Sequence, residues 1–310
     1  MRNLLLFCIA LATLAACSPS EPKPDPQPAE QEPVKADTAN EQANEQANEQ
    51  ANETITDRMA KEHAGDEPTA SDGAKQAPAT EVVGKEVEYF SRAGEPITGY
   101  LAEPKDAAED LPAIIVIHEW WGLNDNIRAM TRRLAGEGYR ALAVDLYNGE
   151  TADTPEKARR LMNKTMNNDK AALVNLSAAR RWMEDEYSPS AMGIIGWCFG
   201  GGWSLRGALN MKENVDAVVM YYGEVNTDES QLADLKAPLL GIFGAEDQGI
   251  PVENVREFDK TLEKLDKNAT IQIFEDAGHA FANPSGKNYD KEAAQKAWEL
   301  TTAFFDKHLE

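Results

Sequence analysis

The sequence predicts an α/β fold with a mostly parallel central sheet and helices on both faces. Three observations lead there. Short apolar runs without alternation, such as Ala113–Ile117 and Ala141–Val144, read as strands buried on both faces. Stretches of helical period separate those runs. The two patterns alternate from about residue 113 to the end of the chain, as they do when helices cross over between parallel strands.

Taken in order, two short strands are expected near Val82–Phe90 and Pro96–Ala102, ahead of the alternating part. The strand at Ala113–Ile117 is followed by a helix over Asn126–Glu137 and a strand over Ala141–Val144. Thr154 followed by Pro155 is a helix start, since proline suits the first helical position. Helix then runs, with an interruption, to about Glu186. Strand Gly193–Trp197, helix Phe199–Leu209, strand Ala217–Tyr222 and strand Leu239–Phe243 come next. Helix Val252–Leu265, strand Thr270–Phe274 and helix Lys291–His308 complete the series.

The chain carries 31 basic and 53 acidic residues, a formal charge of −22. That balance argues against binding nucleic acid, which needs an exposed basic surface, and against electrostatic docking on anionic lipid. Its 3 cysteines are too few for a disulfide scaffold.

Residues 1–16 read as a signal peptide: Arg2, then an uncharged apolar run from Leu4 to Ala15. At roughly 1.5 Å per residue this run is too short to span a ~30 Å hydrocarbon core. Leu14-Ala15-Ala16-Cys17 resembles the bacterial lipobox, which implies cleavage before Cys17, lipidation of its sulfur and anchoring in the cell envelope. Ser18 in place of Asp implies the outer membrane, facing the periplasm, by the same resemblance. Residues 17–80 are expected to form a disordered acidic tether. From Ser18 to Thr80 there is no Phe, Trp or Tyr, and Ala39 to Thr54 repeats Ala-Asn-Glu-Gln. The folded domain is expected over residues 81–310.

Open parallel sheets place their sites at the carboxyl ends of the strands. After the Gly193–Trp197 strand stands Gly196-Trp197-Cys198-Phe199-Gly200, at a strand–turn–helix junction. This is the nucleophile elbow of α/β-hydrolases with sulfur in place of oxygen, and the helix start behind it favours the reactive thiolate. After Leu239–Phe243 comes Gly244-Ala245-Glu246-Asp247, and after Thr270–Phe274 comes Gly278-His279-Ala280-Phe281. The order Cys198, Asp247, His279 is that of the α/β-hydrolase triad. His279 is expected to handle the thiol proton and Asp247 to orient its ring, with Glu246 as the alternative acid. The backbone N–H groups of Trp120 and Phe199 are the expected oxyanion hole. His118 is expected to pack or hydrogen-bond rather than act as a base. Glu119, a carboxylate in an apolar strand mouth, costs desolvation unless paired.

Glu119 in His-Glu-Trp-Trp-Gly, the Cys198 elbow, Asp247 in Gly-Ala-Glu-Asp-x-x-Ile-Pro and His279 in Gly-His-Ala-Phe together resemble the dienelactone hydrolases over about residues 85–309. The resemblance implies the α/β-hydrolase fold and hydrolysis of carboxylic esters or lactones. It also implies that Glu119 holds the resting thiol until substrate displaces it. Arginines that bind a substrate carboxylate in that family are missing: Gly149 and Asn283 stand at their positions. Arg159 and Arg160 are the candidate replacements. The expected partners are a small ester or lactone and, through the lipid on Cys17, a membrane. No cofactor and no metal are expected, because the four histidines lie far apart in the sequence, His63 in the tether among them. A peptidase or acyltransferase with the same triad, and an inactive binding module on the same scaffold, are the alternatives.

Overall fold

The computed structural model describes residues 54–66 and 68–309. The signal peptide, Cys17 and most of the repeat lie outside the described residues.

Among the described residues eight strands form one sheet in the order β1-β2-β4-β3-β5-β6-β7-β8. Strands β1 (Val82–Arg92) and β2 (Glu95–Pro104) form an antiparallel hairpin, and β2 pairs antiparallel with β4 (Arg140–Val144). From β4 onward every pairing is parallel, through β3 (Ala113–Ile117), β5 (Met192–Trp197), β6 (Ala217–Tyr221), β7 (Leu239–Gly244) and β8 (Ala269–Phe274). Every residue of β3 through β7 is buried, as their unbroken apolar runs require. This is the α/β-hydrolase fold expected from the sequence.

Local chemistry sets the helix starts. Asn124 caps α2 (Asp125–Gly136) by accepting from the Ile127 N–H at 3.2 Å. Thr154 caps α3 (Pro155–Met166), with Pro155 at its first position, and α4 (Asp169–Tyr187) follows after a break at Asn167 and Asn168. Helix α5 (Phe199–Met211) starts directly after Cys198. The last three are α6 (Glu229–Leu232), α7 (Val252–Lys264) and α8 (Lys291–Leu309).

The expected domain start at residue 81 is corrected by the structure. The compact unit runs from Asn52 to Glu310, and helix α1 (Ile55–Glu62) belongs to it. Thr54 and Asp57 form a reciprocal capping box at its start. Met59 and the adjoining His63 are fully buried against the main body. Asp57 pairs with Arg159 on α3, and Arg58 Nε donates to the Gly249 carbonyl at 3.0 Å. Further along, Ser71 Oγ donates to the Pro284 carbonyl at 2.8 Å. A segment without aromatics cannot build a core of its own. It gains burial by docking a few side chains into a cleft that the sheet has already formed.

Candidate active site

Strands β3, β5, β7 and β8 bring four sequence-predicted residues to one end of the sheet. Cys198 follows β5 at φ 55° and ψ −118°, a conformation that costs a non-glycine residue energy and that the surroundings must impose. Gly196 and Gly200 make that turn possible. A Cβ on Gly196 would collide with the Gly200 backbone, and one on Gly200 with the Ile117 and His118 carbonyls. The Cys198 N–H is held by the Tyr221 carbonyl at 3.0 Å.

Asp247 follows β7 and His279 follows β8. His279 Nδ1 lies 2.7 Å from Asp247 Oδ2. Asp247 Oδ1 accepts from the Gly249 and Ile250 N–H groups, each at 2.8 Å, so the carboxylate is fixed. Asp247 rather than Glu246 is therefore the residue paired with the imidazole. The Nε2 of His279 is buried, has no hydrogen-bond partner among the described residues and lies within 4.8 Å of Cys198 Sγ. Burial by itself would raise the thiol pKa; the charge of His279 and the contact with His63 outweigh it and bring Cys198 down to about 6. For His279 the desolvation that favours the neutral ring is overcome by Asp247 and Cys198, and its pKa stands well above the ordinary value.

His118 packs as expected. Its Nδ1 donates to the Glu119 carbonyl at 2.6 Å and its Nε2 accepts from the Leu146 N–H at 3.2 Å, which fixes one neutral tautomer. Glu119 is buried, but its partners differ from those the resemblance implies. Oε2 accepts from Asn283 Nδ2 at 2.8 Å and from Asn126 Nδ2 at 3.5 Å, while Oε1 has no partner among the described residues. Burial, then the charge of Cys198, raises the Glu119 pKa to about 7. Asn283 thus serves Glu119 instead of offering a cation to substrate. Arg159 is likewise committed to Asp57, and Arg160 is exposed on α3.

The thiol's neighbours come from the segment that the sequence reading leaves in the tether. His63 Nε2 is 3.5 Å from Cys198 Sγ, and Met59 Sδ is 3.6 Å from the same sulfur. His63 Nδ1 is 2.8 Å from Asp66 Oδ2, and Asp66 Oδ1 accepts from the Lys287 N–H at 3.0 Å. The His63 ring stacks on Trp120, centroids 4.6 Å apart. With α1 in place Cys198 is 1% exposed, and the void beside it measures about 10 Å³, room for about one water. Ile55, Met59, Met162, Met166, Tyr222 and Ile250 line that void.

The expectation that no histidines cluster is therefore also corrected. The ligand atoms of His63, Cys198 and His279 all lie within 4.8 Å of one another, so this trio could surround a metal ion. The signal in the sequence was slight: one His in an aromatic-free stretch, with an Asp three residues on.

The dienelactone hydrolase family model matches residues 97–309. Protein usf of Aquifex pyrophilus is 34% identical over 227 residues, covering 71% of this chain and 97% of its own. An Aquifex aeolicus protein named as a carboxymethylenebutenolidase is 33% identical over 227 residues, with the same coverage of 71% and 97%. Among solved structures, a Klebsiella pneumoniae protein named as a dienelactone hydrolase superposes with a TM-score of 0.67 at 28% identity, covering 74% of this chain and 100% of its own. The chain belongs to the dienelactone hydrolase family and is a hydrolase of that type. The span matched by the family model begins after α1, so Met59, His63 and Asp66 lie outside it.

Proposed function

We propose that this chain hydrolyses neutral carboxylic esters or lactones with Cys198 as nucleophile, His279 as its imidazole partner and Asp247 as the group that orients His279. The observation that carries the reading is the elbow: a buried thiol set at a strained turn beside an imidazole whose far nitrogen is 2.7 Å from a fixed carboxylate. Such a pair favours thiolate and imidazolium, so the attacking sulfur needs no further base. Attack on the carbonyl carbon forms a thioester as the ester C–O bond breaks, and the alkoxide takes up a proton and leaves as the alcohol. The oxyanion that develops on the way is assigned to the N–H groups of Trp120 and Phe199. Water then cleaves the thioester and restores the thiolate.

The methionines around the thiol are unbranched and adaptable, and an apolar acyl group can take the space that Met59 fills. No matched cation waits for a carboxylate at Gly149 or Asn283. In the same proposal the protein works from the cell envelope, held by a lipid on Cys17. The lipobox-like Leu14-Ala15-Ala16-Cys17 supports that part. Among the described residues no helix is long and apolar enough to cross a membrane.

The decisive experiment is turnover of a neutral ester and a lactone by the full chain and by Cys198→Ala. Loss of hydrolysis in the variant, with the fold intact, is expected; full turnover would remove Cys198 from the chemistry. Replacing Cys17 by Ala should release the protein from membranes, and an unmodified protein that still sediments with them would count against the tether.

A further inference from the structure

The nucleophile has two imidazoles beside it and needs only one. His279, backed by Asp247, already stands beside Cys198 to take the thiol proton. A thiolate attacking an ester lacks something else: an acid for the departing alkoxide. Alkoxides of ordinary alcohols are poor leaving groups, and protonation in the transition state is what lets them go.

His63 has the geometry of that acid. Its Nε2 faces Sγ at 3.5 Å, and its Nδ1 is 2.8 Å from the Asp66 carboxylate, repeating the arrangement of His279 and Asp247. The side chain is 1% exposed, so water does not compete for the ring. Asp66 is itself held by the Lys287 N–H, and Lys287 Nζ donates to the Ala64 carbonyl at 2.9 Å, so the pair is anchored at its back. The ring lies on Trp120, whose N–H is assigned to the oxyanion. With Nε2 3.5 Å from Sγ, a leaving oxygen on a carbon bonded to that sulfur is within reach of the ring, and such a transfer needs the reacting atoms roughly 3–3.5 Å apart.

We propose that His63, oriented by Asp66, is a second catalytic histidine that protonates the leaving alkoxide and then activates the water that cleaves the thioester. This inference rests on the nucleophile reading above. In the first half, the Sγ–C bond forms, the C–O bond breaks, and the proton on Nε2 of imidazolium His63 passes to the alkoxide oxygen, releasing alcohol. In the second half, neutral His63 takes a proton from water as its oxygen bonds to the acyl carbon and the C–S bond breaks. The products are the acid, the thiolate and imidazolium His63, the starting state. His279 keeps its proton throughout.

The test is leaving-group dependence. His63→Gln keeps a planar polar side chain but removes the transferable proton. On an alkyl ester its kcat/KM should fall by about 100-fold or more, the usual reach of general acid catalysis. On the p-nitrophenyl ester of the same acid, whose leaving group needs no proton, the loss in acylation should stay below about threefold. Equal losses on both esters, or none on either, would overturn the assignment. Should His63→Gln disturb the circular dichroism spectrum, Asp66→Asn, which leaves the ring in place, carries the same comparison. The two proposals fail separately. Turnover by Cys198→Ala sinks the nucleophile, whereas an inactive Cys198→Ala together with equal ester losses in His63→Gln sinks only His63.

Discussion

His63 precedes Cys198 by 135 positions, yet its Nε2 stands 3.5 Å from the nucleophile's sulfur. The site is therefore built from two distant stretches: the strand ends of the sheet and a helix-and-turn that enters from the N-terminal side.

The thiol should titrate early. Burial opposes ionisation of Cys198, but the two imidazoles outweigh it and bring the value to about 6. Iodoacetamide alkylation of the full chain should rise with pH through about 6, against about 8.5 for a free cysteine. Stopped-time mass spectrometry at several pH values checks this, reading the label on the peptide that carries Cys198. A midpoint above about 8 would mean that the thiol rests protonated. Cys198→Ser should remain only weakly active, since a hydroxyl does not ionise in this range.

Glu119 should destabilise the fold at neutral pH. Its folded-state pKa is about 7 against a reference of 4.5, so folding favours the protonated acid. The cost is absent below the unfolded value, grows as pH rises between the two, and is complete above the folded value. Glu119→Gln keeps an acceptor for Asn283 and removes the charge. Thermal melts near pH 8 should show the variant more stable by an amount on the order of 3 kcal/mol, with little difference near pH 4. A variant less stable than the parent near pH 8 would contradict this.

Truncation should divide at α1. A chain starting at Asn52 keeps the compact unit and should keep its activity. A chain starting at residue 81 lacks Met59, His63 and Asp66, and its Cys198 gains access to solvent. Its alkylation rate should rise while kcat/KM on an alkyl ester falls by at least about tenfold. Identical alkylation in both chains would show that α1 does not cover the thiol in solution.

Charge selectivity should favour neutral substrates. Asn283 is spent on Glu119 and Arg159 on Asp57, so neither position gives a substrate carboxylate the cation that would replace its lost water. A missing charge-assisted hydrogen bond costs about 1.5–3 kcal/mol, roughly 10- to 150-fold. Kinetics on a carboxylate lactone and its methyl ester will measure the ratio. A higher kcat/KM for the free carboxylate would point to a cation elsewhere in the cleft.

The strand ends were readable because their chemistry is local. The unbroken apolar run at Ile114–Ile117, the glycines around Cys198 and the turns carrying Asp247 and His279 each announce themselves within ten residues. Pairing of Glu119 with Asn283 was not readable, since it joins side chains 164 positions apart. Helix α1 was missed for a related reason. Its stretch has the composition of a tether, and the apolar face made by Ile55, Met59 and His63 has value only against a cleft formed elsewhere. Composition measures whether a segment can fold alone, not whether a surface awaits it.

The capping helix also has a place in time. It leaves the ribosome before every strand of the sheet, yet its partners Trp120, Cys198, Gly249 and Lys287 are all made later. Eight residues of helix are marginal alone in water, where about 12–15 are needed even for good helix formers. Among the described residues the first element synthesised can thus settle only once the strand ends and the turn carrying Lys287 have been made. Until it does, the sulfur stays uncovered, and docking of α1 follows assembly of the strand ends.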